Sequence, residues 1–198
     1  VVRGEVRDGR LEGGEIVQAS PDRVAPASPQ YGDCGGCSLQ HWASAPYLAW
    51  KREQVVAALA RERIETEVEA TVAVPAGTRR RLALHARRLT DGRVVLGFKA
   101  RKSWRLVEVS QCPVADPRLV RAFPVLAKVA GAFLEHPKSA PTLHVTWTLD
   151  GLDVDVTGVE RRSGGLSADR RAQAVRAAAD ADLARLSLAG ETLVMARQ

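Results

Sequence analysis

Residues 143–156 constrain the fold more than any other stretch. Leu143, Val145, Trp147 and Leu149 alternate with polar residues, Asp150-Gly151 follows, and Leu152, Val154 and Val156 alternate again. A period of two places every apolar side chain on one face, and Asp-Gly is a favoured tight-turn dipeptide. The spacing predicts an antiparallel hairpin with one face buried. Residues 82–109 repeat the signature: Leu82, Leu84 and Ala86 run in, Thr90-Asp91-Gly92 turns, Val94, Leu96 and Phe98 return, and a third strand covers 104–109. A β-meander is predicted there.

Helical signals lie around these strands. Asp116-Pro117 is a cap followed by a first-turn proline, and Leu119, Val120, Phe123, Leu126, Val129, Ala130 and Phe133 recur at helical spacing. Pro124 inside that run predicts a kink. A charged loop is predicted over 161–165, and Ser167 is placed to cap a helix from Ala168 to about Ala181. A last strand pair, 183–188 and 192–195, is expected around Ala189-Gly190. At the front, 1–6 and 11–17 flank Asp8-Gly9 as a small hairpin. Ser44 and Pro46 then open a helix running to about Ile64. The fold class predicted is α+β, an antiparallel or mixed sheet with packed helices.

At 198 residues and 45% hydrophobic content the chain is large enough to build a core of one or two domains. No run approaches the roughly 20 apolar residues that span a bilayer, so no membrane partner is expected. Three cysteines, an odd number with two close together, argue against a secreted disulfide framework and for a reducing, cytoplasmic setting. Net charge is +6 and the isoelectric point is near 9.7. From Arg79 to Arg105 ten basic residues stand against one acid, Asp91. Such a band attracts polyphosphate. Arg79, Arg80, Arg81, Arg101 and Lys102 are the expected phosphate contacts. Trp104 beside them is a candidate platform for an unpaired base. The competing readings are a solvated arginine-rich surface and a core tryptophan.

Cys34 and Cys37 sit two residues apart on Gly35-Gly36, and Cys112 lies far downstream in Gln111-Cys112-Pro113. Glycine lets the backbone wrap a centre, so both thiolates of the pair can point at one ion. The loop before them lacks the strand–motif–helix arrangement of a thioredoxin-like redox site. If Cys112 joins them, three thiolates converge. His41 would then complete a Cys3His zinc site, or else it merely opens the helix.

Cys34-Gly35-Gly36-Cys37-Ser38-Leu39-Gln40-His41, the segment Tyr47-Leu48-Ala49-Trp50-Lys51-Arg52-Glu53-Gln54 and Gln111-Cys112-Pro113-Val114 resemble the bacterial RNA uracil-5-methyltransferases. These are SAM-dependent enzymes that methylate uracil C5 in 23S ribosomal RNA, with relatives acting on transfer RNA. The resemblance runs over almost the whole chain. In the iron-sulfur branch a [4Fe-4S] cluster is held by Cys-x5-Cys-Gly-Gly-Cys and one distant Cys-Pro. Cys34, Cys37 and Cys112 match three of those ligands, and the fourth falls on Ser28, a weaker ligand for iron. The resemblance then leaves three outcomes: a cluster held by three cysteines alone, one with Ser28 or His41 as substitute fourth ligand, or no cluster.

The resemblance also implies an organisation. Residues 1–27 would be the end of an OB-like RNA-binding module, 28–40 the cysteine hinge, 41–71 a helix packing on a catalytic domain, and 72–198 the central α+β domain. The glycine-rich SAM site and the nucleophilic cysteine have no counterpart here, and in the family both lie in a further C-terminal domain. The chain is accordingly expected to be a monomeric, RNA-binding fragment, inactive alone, of an active parent enzyme. The alternatives are a stand-alone metal-binding RNA-binding module without catalysis, a transfer-RNA uracil-5-methyltransferase, and a structural domain with free thiols.

Overall fold

The computed structural model describes residues 1–136, 139–159 and 166–196, and the chain divides into two units. One comprises 1–27 and 39–73, the other 28–38 and 74–198. In the first, β1 (Val2–Arg7) and β2 (Arg10–Ile16) pair antiparallel around Asp8-Gly9. Both turn residues take positive φ, as a tight turn demands. Helix α1 (Ser44–Arg61) follows. Ser44 does not cap it, contrary to the sequence expectation. The cap is Ala43, whose own N–H is held by the Asp22 carbonyl at 2.8 Å, so backbone pairing sets the entry of the helix. Trp42, Tyr47 and Trp50 cluster over its first turns with ring centroids 5.6–6.3 Å apart.

The second unit is organised by a seven-stranded mixed sheet. Its strands are β3 (Arg81–Arg88), β4 (Val94–Lys99), β5 (Leu106–Glu108), β6 (Thr142–Trp147), β7 (Leu152–Thr157), β8 (Arg185–Leu188) and β9 (Glu191–Met195), in the order β5-β4-β3-β6-β7-β8-β9. The two predicted hairpins are neighbours, joined where β3 pairs antiparallel with β6 and Leu84 faces Leu143. β7 and β8 run parallel, the arrangement a strand–helix–strand crossover permits, with α4 (Ala168–Asp180) in the connection. Leu149 does not belong to the incoming arm. It is 99% exposed, because β6 ends at Trp147 and the turn is already closed by Thr148 and Gly151. The third meander strand is likewise shorter than predicted, since the chain turns through 101–105 before β5 begins.

The core lies on one side of this sheet. Leu82, Leu84, Leu143, Val145, Val154, Val156 and Leu186 meet Leu119, Leu126, Val129 and Phe133 from the helices. The predicted kink is a break: α2 (Pro117–Arg121) and α3 (Phe123–Gly131) part at Ala122, and Pro124 occupies the first turn of α3. α4 buries only Ala174 and Ala178, four residues apart, which lets its backbone approach closely. Ser167 caps α4 through the Arg170 N–H. Ser167→Ala is expected to lower stability by about 1 kcal/mol in a urea melt. The predicted loop at 161–165 lies outside the described residues. No described helix is long and apolar enough to cross a membrane.

Candidate metal centre and nucleic-acid interface

The thiol loop is held by backbone pairing. The β3–β4 ladder ends at His85–Gly97, and beyond it the strand end takes its bonds from the Asp33–Gly35 loop. Gly35 N–H donates to the Lys99 carbonyl at 2.9 Å, Cys34 bridges Ala100, and Arg101 N–H donates to the Asp33 carbonyl. An ion pair between Asp33 and Arg105 adds to this. A Cβ on Gly35 would stand 2.7 Å from the Lys99 oxygen, so only glycine allows this approach. Within the loop, Gly36 N–H points at the Cys34 Sγ at 3.4 Å, and the Tyr31 hydroxyl donates to the Ser38 carbonyl.

Cys112 arrives from the other direction. Its segment is pinned to the start of β3, where Arg79 N–H donates to Val114 and Asp116 N–H donates to the Arg79 carbonyl. Burial pushes the Cys112 thiol up, the backbone N–H groups of Ala115 and Val114 oppose this, and negative charge at Cys37 and Cys34 adds to the rise. Cys112 therefore feels the other two thiols, and none of the three is in a disulfide. Among the described residues no three His, Cys, Asp or Glu side chains are gathered as ligands of a single ion. Ser28 is engaged in its own turn, its Oγ accepting from Gln30 N–H at 3.3 Å. His41 belongs to the other unit.

The basic residues meet the thiol loop at this end of the sheet. Arg79, Arg80 and Arg81 open β3, while Arg101 and Lys102 lie in the turn leaving β4, with Lys102 in the left-handed region. All five are exposed, and among the described residues none forms an ion pair. Trp104 is 86% exposed, so it is not a core residue, and the Lys99 ammonium lies 3.8 Å from its ring centroid.

Sequence reasoning passed over one constellation. Asp116 receives two bonds from the Arg118 side chain and one from its N–H, which holds the guanidinium 4.9 Å from the Trp147 ring. The Arg118 hydrogen bonds pull the Asp116 carboxyl down to about 2. A depressed carboxylate contributes stability that is present above its ordinary value of about 3.9 and is lost as pH falls through about 2. Asp116→Asn should therefore be less stable than the parent at neutral pH, with the gap closing between about pH 4 and 2. Urea midpoints measured across that range give the result directly.

Comparison with known proteins places the chain in a class. No family model matches it. It is 59% identical to an uncharacterized RNA methyltransferase of Caulobacter vibrioides, covering 100% of this chain and 48% of that protein. It is 41% identical to an uncharacterized RNA methyltransferase of Brucella suis, over 90% of this chain and 42% of that protein. The chain is homologous to these bacterial RNA methyltransferases and spans about half the length, or less, of the curated relatives it matches. A more specific relative is the 23S rRNA (uracil(1939)-C(5))-methyltransferase RlmD of Halomonas elongata, 43% identical over 53% of this chain and 22% of that protein.

Proposed function

We propose that this chain is the RNA-binding and cluster-holding part of a SAM-dependent enzyme that methylates uracil C5 in 23S ribosomal RNA. One observation carries the reading: the loop with Cys34, the Cys112 segment and the basic residues of 79–81 and 101–102 come together at one end of one sheet. The relatives named for 23S rRNA methylation support the substrate. SAM, bound in the remainder of the parent protein, would supply the methyl group. Three cysteines, none in a disulfide, suit a protein of a reducing, cytoplasmic setting.

Cys34, Cys37 and Cys112 would hold a [4Fe-4S] cluster. The donor set fits in kind: three cysteine thiols, two of which act on the third, with N–H groups aimed at Cys34 and Cys112, as sulfur ligands of clusters accept. Ser28 is the proposed oxygen ligand at the fourth corner. Bound there, the cluster would supply a cross-link between two chain segments. Residues 1–27, with their β1–β2 hairpin, are proposed as the end of an OB-like module.

Nucleoside analysis tests the reading. Cells lacking the gene should lose 5-methyluridine from 23S rRNA and regain it with the full-length gene. Loss from transfer RNA alone would assign the substrate to the other branch, and no loss would refute the enzyme. Protein purified without oxygen should contain iron and sulfide, and Cys112→Ser should lose both. Zinc without sulfide would leave a structural module in its place.

A further inference from the structure

The sheet has a second face, and among the described residues the middle of it is exposed. Its helices pack on the side of Leu82, Leu84 and Ala86, whereas Arg81, Ala83 and Arg87 on β3 and His144 on β6 are exposed although those strands are central. One half of this face is basic. Arg81, His85, Arg87, His144 and Lys99 stand there, and Trp104 lies beyond Lys99. Acids face them from the flanks and are already engaged: Glu108 with Arg93, Asp153 with Arg185, and Asp155 with the Gly190 N–H.

The two imidazoles are oriented by hydroxyls of the adjacent strands. His85 Nδ1 lies 2.9 Å from Thr142 Oγ1, and His144 Nε2 lies 3.0 Å from Thr157 Oγ1. Burial, then Lys99 and then His144, lower the His85 pKa. A phosphate brought to this face would act in the opposite sense and favour the imidazolium.

We propose that this exposed face, from Trp104 and Lys99 across Arg81, His85 and His144, is a track for an unpaired RNA segment that is held more tightly as pH falls. The proposal rests on the RNA reading above and adds which form of RNA is taken and by which residues. Charge complementarity selects a polyanion. Trp104 selects an unpaired one: Lys99 occupies one side of the indole and the other is open, and only a base outside a duplex can lie flat upon it.

The test is fluorescence anisotropy of the purified protein with a labelled unstructured oligouridylate and with a blunt RNA duplex, from pH 6 to 8 at fixed salt. Trp104→Ala should weaken oligouridylate binding about tenfold, leave the duplex unchanged, and be largely rescued by Trp104→Phe. Oligouridylate affinity should rise about tenfold between pH 8 and 6, and His85→Gln should flatten that rise. Equal effects of Trp104→Ala on both RNAs, or a flat profile in the parent protein, would overturn the track and leave general RNA binding standing. Failure to bind either RNA would overturn the RNA reading too.

Discussion

Gly97→Ala is expected to unseat β5 and to lower stability by about 3 kcal/mol or more, beyond the usual range for an added methyl. Gly97 pairs with His85 on one side and Glu108 on the other, and a Cβ built on it would stand 1.9 Å from the Val107 carbonyl oxygen. That atom is backbone, so no rotamer change relieves the clash. The ladder must open, and it has only three pairs to lose, Gly97–Glu108, Phe98–Val107 and Lys99–Leu106. Loss of β5 would also free the turn that carries Trp104. Urea unfolding with far-UV circular dichroism measures the effect, and a change under about 1 kcal/mol would mean that the strands do not approach as described.

Replacing Arg79, Arg80, Arg81, Arg101 and Lys102 together by alanine is expected to reduce RNA affinity about a thousandfold at roughly 0.1 M salt. Each phosphate contact contributes about 0.7 to the salt slope on single strands, so five contribute about 3.5. The substitution should flatten the dependence of log affinity on log salt by that amount. The five side chains are exposed and among the described residues make no ion pairs, so folding should survive. An unchanged slope would reduce these residues to a solvated arginine-rich surface.

Local chemistry made much of the fold legible. Alternation around Asp150-Gly151 located β6 and β7, Asp116-Pro117 located α2, and Pro124 announced the break at Ala122. What remained hidden depends on distant pairing. Nothing in 82–88 says that it will lie beside 142–147 rather than only beside 94–99, because two alternating hairpins can be joined in several orders. His85 and His144 are visible as polar residues in alternating strands, yet their shared face follows only from the β3–β6 register. The errors are equally local: Leu149 continues the apolar period past the end of its strand, and Ser44 has the chemistry of a cap although Ala43 has the position. At the thiols, the Cys-Gly-Gly-Cys spacing marked the loop. Its seat on Lys99–Arg101 has no signature in either segment alone.

That seat bears on solubility. Where β4 leaves β3, a carbonyl at Lys99 and an N–H at Arg101 would be an open strand edge if Asp33–Gly35 did not satisfy them. Unpaired edges recruit strands from other molecules. Oxidation or alkylation that pulls Cys34 away would therefore first appear as self-association, in a protein whose core and basic residues are all still intact.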